Sequence, residues 1–489
     1  MQSRRDQVQA HLFVVSRLAS GMLRAEPDAA DTPTGRTTRG AVTGLALGAL
    51  IGLGVAVYGV MVPGGDTAWA KPGTLVMVKE TGARYLYVGG QLHPVLNDTS
   101  AKLVAGEQMA VEEVSRASLA DTPRGAPVGI AGAPDGLPPA ADLAGGTWLV
   151  CATVQPGAGG AAPVPKLGVQ LDPAREGKAL APGQGLLVTT PDGAVHLLWQ
   201  GRRLRVDTAN KAIQALGYSG TTPFPVPAGL LNALPAGPDL AAPAVPGRGD
   251  PGPALAGGPT RVGQLFEAPG GVRYVLQREG LVPMTATQFA LLVGDPRTQS
   301  EAYAGTAPAP ARIGAADLAA HTAPGAGAPA PGLPESPPAL VTPLRDEGVC
   351  ADLHVGAGAP VGSVTVLEAA DAGAGRPPAP VPGCAVGDRA ADLVAVRPGR
   401  GALVRALSGA GTGSTEYLVT ETGARYPLPS AAAAKQLGYA GATPVAVPSG
   451  VLGLLPAGPA LDPSGLVAGA ATSAPTSTPT APASSPACG

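Results

Sequence analysis

One uncharged, apolar run at residues 41–62 constrains this chain more than any other feature. At about 1.5 Å of rise per residue, a helix of this length spans roughly 33 Å, enough for the ~30 Å hydrocarbon core of a bilayer. Residues 63–489 hold no second run like it. The sequence therefore predicts one membrane-spanning helix at 41–62, preceded by a short tail and followed by a large body.

Charge on either side of the run predicts its orientation. Residues 1–40 carry six arginines against four acidic residues, and Arg36 and Arg39 lie just before the run. Because Lys and Arg near a span tend to remain cytoplasmic, we expect a cytoplasmic N-terminus and an extracytoplasmic body at the cell membrane. The alternative is a signal peptide cleaved near residues 68–70, but the run and its lead-in are long for one.

Three glycines inside the run form two overlapping GxxxG patterns, at Gly44, Gly48 and Gly52. Such spacing lets membrane helices approach closely, although Gly is also common in these helices for no specific reason. The glycines are our candidates for helix packing in the membrane, with the second explanation left open.

The N-terminal tail contains an apolar stripe at helical spacing. Its members are Val8, Leu12, Val15, Ala19 and Met22, with arginines nearby. A stripe of this kind predicts an amphipathic helix that either lies on the membrane surface or docks on a partner protein.

Matching segments in two registers indicate an internal repeat in the body. Residues 80–85 recur identically at 421–426, and residues 216–218 match 437–439 in a second register. With two weaker copies, we expect four units, each a β-hairpin with a Gly-containing turn followed by a short capped helix. A unit this small cannot bury a core alone, so each must dock on another region of the protein.

The segments between the repeats supply a partner for that docking. Residues 143–154, 348–368 and 391–407 are apolar in the manner of strands and predict a central sheet with the repeats inserted around it. Residues 241–263 and 306–340 are rich in Ala, Gly and Pro and are predicted to be linkers.

Four cysteines all lie after the apolar run, where disulfides persist. Cys151 and Cys350 lie in strand-like segments, and a bond between them would link distant regions of one sheet. Cys384 and Cys488 complete the set. Four cysteines allow three full pairings, and the sequence alone does not choose among them.

A search for chemical motifs predicts no catalytic residue, no cofactor and no metal site. The sequence contains no GxxxxGK[ST] phosphate loop, no GxSxG elbow, no HExxH and no CxxC. It also lacks a basic block, so nucleic acid is not an expected partner. Arg84, Arg273 and Arg425 occupy the equivalent repeat position, either as a ligand-binding row or as residues paired across hairpin strands, and we favour the second explanation.

The N-terminal segment 3–18, the single span and the Gly-Ala-Arg-Tyr repeat together resemble the EccB family, a membrane component of the type VII (ESX) secretion system. The resemblance covers nearly the whole chain. It implies an α+β fold with one N-terminal transmembrane helix, a central β-sheet core and four small βα repeats similar to a phage-lysin module. It also implies a core disulfide between Cys151 and Cys350, and it leaves Cys384 and Cys488 unexplained.

With the resemblance, the predicted organisation has eleven segments. These are a cytoplasmic tail with an amphipathic helix (1–40), the transmembrane helix (41–62), the first repeat (74–127), the first core segment (128–185), the second repeat (186–240), a linker (241–263), the third repeat (264–305), an Ala/Pro-rich linker (306–340), the second core segment (341–410), the fourth repeat (411–463) and a Ser/Thr/Pro-rich tail expected to be disordered (464–489).

The functional implication of the resemblance is a structural subunit on the outer side of a secretion machine. The implied partners are the EccC ATPase, EccD, EccE and the mycosin protease, and the chain is expected to form a homodimer or higher oligomer. Because these partners include membrane and cytoplasmic components, the resemblance favours docking of the N-terminal helix on a partner over binding to the membrane surface. Two alternatives remain: an ATP-hydrolysing subunit of the same system, which some family labels suggest, and a membrane-anchored cell-wall-binding protein.

Overall fold

The computed structural model describes residues 4–25, 33–61, 67–157, 163–325, 332–356, 358–382, 384, 390–409 and 411–466. The chain divides into two compact units, the first formed by Met1–Leu92 with Val111–Pro123 and the second by His93–Ala110 with Arg124–Gly489. The fold is mixed α+β, as predicted.

Two helices form the N-terminal region of the first unit, α1 (Arg4–Arg24) and α2 (Pro33–Met61). The predicted span 41–62 lies within α2 up to Met61, and Val62 falls outside the described residues. The helix thus begins at Pro33, eight residues before the apolar run.

The body is built from four small sheets and one larger, central sheet that alternate along the chain. The first small sheet comprises β1 (Thr74–Val78), β2 (Arg84–Val88), β3 (Gln91–Pro94), α3 (Asp98–Ala105) and β4 (Val111–Val114). The first half of the central sheet comprises β5 (Thr147–Gln155), β6 (Val164–Leu171) and β7 (Lys178–Ala179). The second small sheet comprises β8 (Gln184–Thr189), β9 (Val195–Trp199), β10 (Arg202–Arg205), α4 (Ala212–Ala215), β11 (Phe224–Pro225) and α5 (Ala228–Ala233).

The same alternation continues in the second half of the chain. The third small sheet comprises β12 (Leu265–Glu267), β13 (Arg273–Gln277), β14 (Gly280–Met284), α6 (Ala286–Gly294), β15 (Ala311–Arg312) and α7 (Ala315–His321). A short strand, β16 (Ala339–Leu340), pairs in parallel with β8 of the second small sheet. The second half of the central sheet follows, with β17 (Glu347–His354), β18 (Val361–Glu368), α8 (Ala369–Ala372) and β19 (Leu393–Ala395). The fourth small sheet comprises β20 (Ala402–Ser408), β21 (Gly411–Val419), β22 (Arg425–Leu428), α9 (Ala431–Gln436), β23 (Val445–Pro448) and α10 (Ser449–Leu452).

All four small sheets have the same strand order. Each places its third, second, first and fourth strands side by side, and in each the fourth strand runs parallel to the first. The sequence predicts only a hairpin in each unit. The third strand was missed because it is short and follows the second within a few residues. The fourth was missed because a strand of two residues, such as Phe224–Pro225, shows no alternation.

The predicted helix caps explain where three of the unit helices begin. Asn97 accepts a hydrogen bond from the Ser100 backbone N–H, and Ser430 accepts one from Ala433. Thr285 and Gln288 form a reciprocal capping box at the start of α6. The corresponding helix of the second small sheet, α4, begins later in its unit, because the Asp207 carboxylate accepts from the Asn210 backbone N–H in a turn that precedes Ala212.

The central sheet has the order β19-β6-β5-β17-β18-β7, with β5 and β17 antiparallel at its centre. The prediction from 143–154 and 348–368 is confirmed, but 391–407 is only partly right. Within 391–407, Leu393–Ala395 form β19 of the central sheet, whereas residues from Ala402 onward form β20 of the fourth small sheet. The fourth unit therefore begins before residue 411. Strand β6 was missed because Pro165, Lys166 and Gly168 interrupt its apolar pattern.

The two predicted linkers are structured where the structure describes them. Within 241–263, Val245, Leu255 and Val262 are buried against the third small sheet. Within 306–340, the chain forms β15, α7 and β16. Composition misled the prediction, because a few apolar side chains among many Ala, Gly and Pro residues suffice to fix a segment on a neighbouring surface.

Within the second unit, helices from the first half of the chain pack on helices from the second half. Helix α4 packs on α6, and α9 packs on α3. Helices α5 and α10 pack together over one face of the central sheet, where a Cβ built on Gly450 would lie 2.7 Å from the backbone oxygen of Asn232. The largest hydrophobic cluster lies on this face and joins the central sheet to the second and fourth small sheets.

Candidate functional site

Helix α2 contains one stretch, Thr37–Gly59, that is long and apolar enough to cross a membrane. The most apolar part of this stretch is not buried against the rest of the described chain, and Leu45, Leu50 and Ile51 are exposed. Leucine and isoleucine exposed all around a helix are unfavourable in water and favourable in lipid. The helix therefore has the properties of a membrane anchor.

The three candidate packing glycines lie within this exposed stretch. A Cβ built on Gly44, Gly48 or Gly52 would meet nothing within 4 Å in the described residues. The small surface they form is available to another membrane helix, and their role in helix packing stays a prediction.

Helix α1 exposes more apolar surface than one stripe. Val8, Leu12 and Met22 of the predicted stripe are exposed, and so are Val14 and Leu18 beside them. At about 100° per residue these side chains cover roughly half of the helix circumference. This surface is broad enough to lie on lipid or to pack into an apolar groove of a partner.

The centre of the second unit holds the disulfide that the resemblance implies. Cys151 on β5 and Cys350 on β17 are direct register partners with Cα atoms 4.0 Å apart, and both side chains are fully buried. The bond joins two strands separated by 199 residues in sequence. It links the two halves of the body at the point where they meet.

Two tyrosines that the sequence marked only as repeat residues make reciprocal contacts between the halves. The Tyr218 hydroxyl donates to the Pro338 carbonyl at 2.9 Å, and the Tyr439 hydroxyl donates to the Pro138 carbonyl at 2.7 Å. Burial raises the pKa of Tyr218 to about 12 and raises the pKa of Tyr439 as well. The Leu-Gly-Tyr motif of the second small sheet therefore fixes that sheet to the segment before β17. The same motif of the fourth small sheet fixes that sheet to the segment before β5.

A buried ion pair that sequence reasoning missed holds the segment 241–263 in place. The Arg248 guanidinium lies 2.5 Å from the Asp295 carboxylate, with both side chains almost inaccessible to solvent, and also donates to Thr298 Oγ1 at 2.8 Å. Neither residue belongs to a recognisable motif, so the sequence offered no signal for it. The pair joins the segment 241–263 to the end of α6.

The arginines at the equivalent repeat position serve their own hairpins. Arg273 is the register partner of Glu267, and their charged groups lie 3.7 Å apart. The Arg425 guanidinium lies over the Tyr417 ring at 5.5 Å, and Arg84 begins β2 opposite Met77. Burial lowers the pKa of Arg425. These contacts favour the cross-strand explanation over a ligand-binding row.

The histidines in the hairpins occupy structural positions. His93 is buried, and its Nδ1 lies 2.9 Å from the Ala126 carbonyl. Burial, followed by the nearby Arg203 and Arg205, lowers the pKa of His196. Among the residues that the structure describes, no three His, Cys, Asp or Glu side chains come together as a metal site would require.

One carboxyl group close to the disulfide is perturbed. Asp352 lies two residues after Cys350 on β17 and is almost fully buried. Burial raises the pKa of Asp352, and His354, whose Nδ1 lies 3.4 Å away, opposes that effect. One buried aspartate beside one exposed histidine is not by itself a recognisable catalytic arrangement.

Comparison with known proteins gives one consistent family. The chain matches the family described as "T7SS_ESX1_EccB: Type VII secretion system ESX-1, transport TM domain B" over residues 1–471. It is 33% identical over 479 residues to the "ESX-3 secretion system ATPase EccB3" of Mycolicibacterium smegmatis, covering 94% of this chain and 89% of that protein. It is 30% identical over 492 residues to the EccB3 of Mycobacterium tuberculosis, covering 94% and 88%.

Solved structures give the same result. A chain of "Structure of an intact ESX-5 inner membrane complex, Composite C3 model" aligns with a TM-score of 0.63 at 25% identity, covering 99% of this chain and 98% of that one. A chain of "Structure of EccB3 dimer from the ESX-3 core complex" aligns with a TM-score of 0.61 at 30% identity, covering 80% and 99%.

The anchor helix, the disulfide-linked central sheet and the four small sheets of one strand order thus occur in a chain whose relatives are proteins of one kind. The match spans nearly the full length of the chain. This chain belongs to the EccB family of type VII secretion proteins.

Proposed function

We propose that this chain is a structural membrane subunit of a type VII secretion complex. The observation that carries the proposal is the similarity to a chain of an ESX-5 inner membrane complex, over 99% of this chain, and to a chain of an ESX-3 core complex, over 80% of it. The anchor helix agrees with a place in such a membrane complex.

The proposed orientation places α1 in the cytoplasm and the small sheets on the outer side of the membrane. Arg36 and Arg39 at the start of α2 support it, because basic residues near a span tend to stay cytoplasmic. A buried disulfide in the body agrees with an oxidising compartment outside the cytoplasm.

We propose partners at both ends of the molecule. The cytoplasmic end would assemble with the EccC ATPase, EccD and EccE, through the exposed apolar half of α1. The outer body would pair with a second copy, and the dimer that EccB3 forms in the ESX-3 core complex supports pairing of this chain. Contact with a mycosin protease belongs to the same proposal and rests on the family resemblance alone.

The shared strand order supports a further element of the proposal, that the four small sheets are copies of one module similar to a phage-lysin unit. Helices of these modules pack on one another within the second unit, as α4 with α6 and α9 with α3 illustrate. We assign these modules to assembly of the body rather than to catalysis.

The relatives are named ATPases, and we do not assign that activity to this chain. A phosphate loop requires a Gly-rich turn followed by Lys and Ser or Thr, and the sequence contains no such pattern. The proposed function therefore assigns hydrolysis to a different subunit.

A substitution in α1 tests the proposed docking. Replacing Leu12 and Val15 together by Asp puts two charges on the exposed apolar half, where burying an unpaired charge is costly. We expect recovery of the large membrane complex on a native gel to fall at least tenfold, with unchanged amounts of the chain in the membrane. Gln9→Asp, a change at an exposed polar position of the same helix, is the control and should leave recovery unchanged. Full recovery of the double variant would contradict docking through this surface.

A further inference from the structure

A cavity of about 500 Å³ lies at the outer edge of the central sheet, apart from the contacts that hold the small sheets together. Its lining comes from β19 and the residues that follow it, from the chain at 375–379, and from the turn between β21 and β22. All three segments belong to the second unit. A cavity at a sheet edge offers backbone groups as well as side chains to a ligand.

Two glycines fix the walls of this cavity on one residue, Val394. Gly375 has a φ of 137°, and a Cβ built on it would lie 2.9 Å from the Val394 carbonyl oxygen. Gly423 has a φ of 80°, and its Cβ would lie 2.5 Å from Val394 Cγ1. Only glycine allows so close an approach in these conformations. The cavity is therefore preformed, and a ligand does not have to order its walls on binding.

The backbone edge of the sheet is open inside the cavity at Val396. Arg376 and Val394 are antiparallel partners that exchange two backbone hydrogen bonds, of 3.0 and 2.8 Å. Because peptide groups alternate in direction along an extended chain, the N–H and C=O of Val396 turn to the same side as those of Val394. The chain before Gly375 leads back to α8, and the Val396 backbone makes no hydrogen bond within the described residues. One strand-type donor and one acceptor are thus left for a ligand.

The side chains of the cavity carry one charge of each sign. Arg376 is exposed, and its guanidinium has no ion pair or hydrogen bond in the part of the chain that the structure describes. Glu421 Oε2 accepts from the Gly399 N–H at 2.5 Å, which leaves Oε1 for a donor of the ligand. Pro377 and Pro398 add apolar surface. The lining therefore suits a ligand that has an anionic group, a donor and an apolar side chain.

These features together select an extended peptide. An open strand edge pairs with a ligand that carries its own peptide N–H and C=O groups, and a guanidinium without a partner favours a carboxylate. We propose that the cavity binds an extended acidic segment of a partner protein. The segment adds to the sheet edge at Val396, places an apolar side chain against Pro377 and Pro398, and pairs its carboxylate with Arg376.

Selection from a displayed library of random heptapeptides tests the site. The full-length chain in mild detergent is the bait, with counter-selection on Arg376→Gln. We expect the selected peptides to combine Asp or Glu with β-branched residues, and the synthetic form of the best one to bind Arg376→Gln at least tenfold more weakly. Ala379→Trp, which fills the cavity without changing its charge, should abolish binding. Arg345→Gln removes an exposed arginine outside the cavity and should leave binding unchanged.

Hydrogen exchange of the free and peptide-bound chain measures the strand pairing. We expect exchange at the Val396 amide to slow at least tenfold in the complex, because its N–H gains an acceptor. Exchange at Lys178–Ala179, which form the opposite edge of the same sheet, should not change. Failure to select any peptide whose binding depends on Arg376 would overturn the proposal. Selected peptides that bind without slowing exchange at Val396 would overturn it as well.

Discussion

Single hydrogen bonds at Tyr218 and Tyr439 connect the two halves of the body. Each hydroxyl is buried and donates to the carbonyl of a proline. Leaving a buried carbonyl without a donor costs about 1–3 kcal/mol, more than the net contribution of an ordinary hydrogen bond. Because the two contacts mirror each other, the repeated Leu-Gly-Tyr motif is explained by packing and needs no ligand.

Removing either hydroxyl should therefore destabilise the protein. We expect Tyr218→Phe and Tyr439→Phe each to lower the free energy of unfolding by about 1–3 kcal/mol, and their effects to add because they share no partner. Tyr274→Phe is the control, since no hydrogen bond of that hydroxyl occurs within the described residues. Denaturant titration measures the single variants, the double variant and the control, and a loss no greater than that of the control would contradict the account.

The buried carboxyl of Asp352 should make stability depend on pH. Burial raises its pKa in the folded state above the unfolded value of about 4. Its contribution to stability is then fully present below pH 4 and is lost as the pH rises through the folded-state pKa.

Replacing Asp352 by Asn removes that loss. We expect the melting temperature of Asp352→Asn relative to the unmodified protein to be higher at pH 7 than at pH 4, as measured by thermal unfolding in detergent. The exposed Asp346→Asn is the matched control and should show no such difference. A relative melting temperature that falls as the pH rises would contradict the assigned direction.

Prediction at the residue scale succeeded where a local rule applies and failed where the partner is distant. The cross-strand explanation for Arg273 follows from hairpin geometry, and Glu267 is found opposite it. The partners of Tyr218 and Arg248 lie 120 and 47 residues away, and no local pattern indicates them. The Cys151–Cys350 pair was implied by family resemblance, because the residue pattern alone left three pairings open.

At the scale of elements, the small helices are placed by their first residues and by glycines that permit close approach. Caps at Asn97, Thr285 and Ser430 were predictable because the cap and the donor lie three residues apart. The parallel fourth strands were not, since a pairing across a helix of the same unit depends on tertiary contacts.

The contact between α5 and α10 predicts a large effect for one added methyl group. In Gly450→Ala the new Cβ would meet the backbone oxygen of Asn232 at 2.7 Å, so one helix must move. We expect a loss of about 1–3 kcal/mol in the free energy of unfolding. Gly441→Ala, where a Cβ meets nothing within 4 Å, should change stability by less than ~0.5 kcal/mol. Equal effects of the two substitutions would show that the helices do not approach as described.

At the scale of the whole molecule, the chain alternates small sheets with strands of one central sheet. The sequence predicts the single span and a central sheet assembled from distant segments, because these depend on hydrophobic patterning over many residues. The α+β class was implied by the family resemblance. The structured segments at 241–263 and 306–340 were mistaken for linkers, because their composition resembles that of loops while a few apolar side chains hold them in place.

Membership of the EccB family makes assembly in the membrane the central claim about this protein. The measurement that tests it most directly is purification of the tagged full-length chain in mild detergent, followed by mass spectrometry of the proteins that accompany it. The account predicts a large complex that contains an FtsK/SpoIIIE-type ATPase and a polytopic membrane protein. Recovery of this chain alone, or only with further copies of itself, would contradict it.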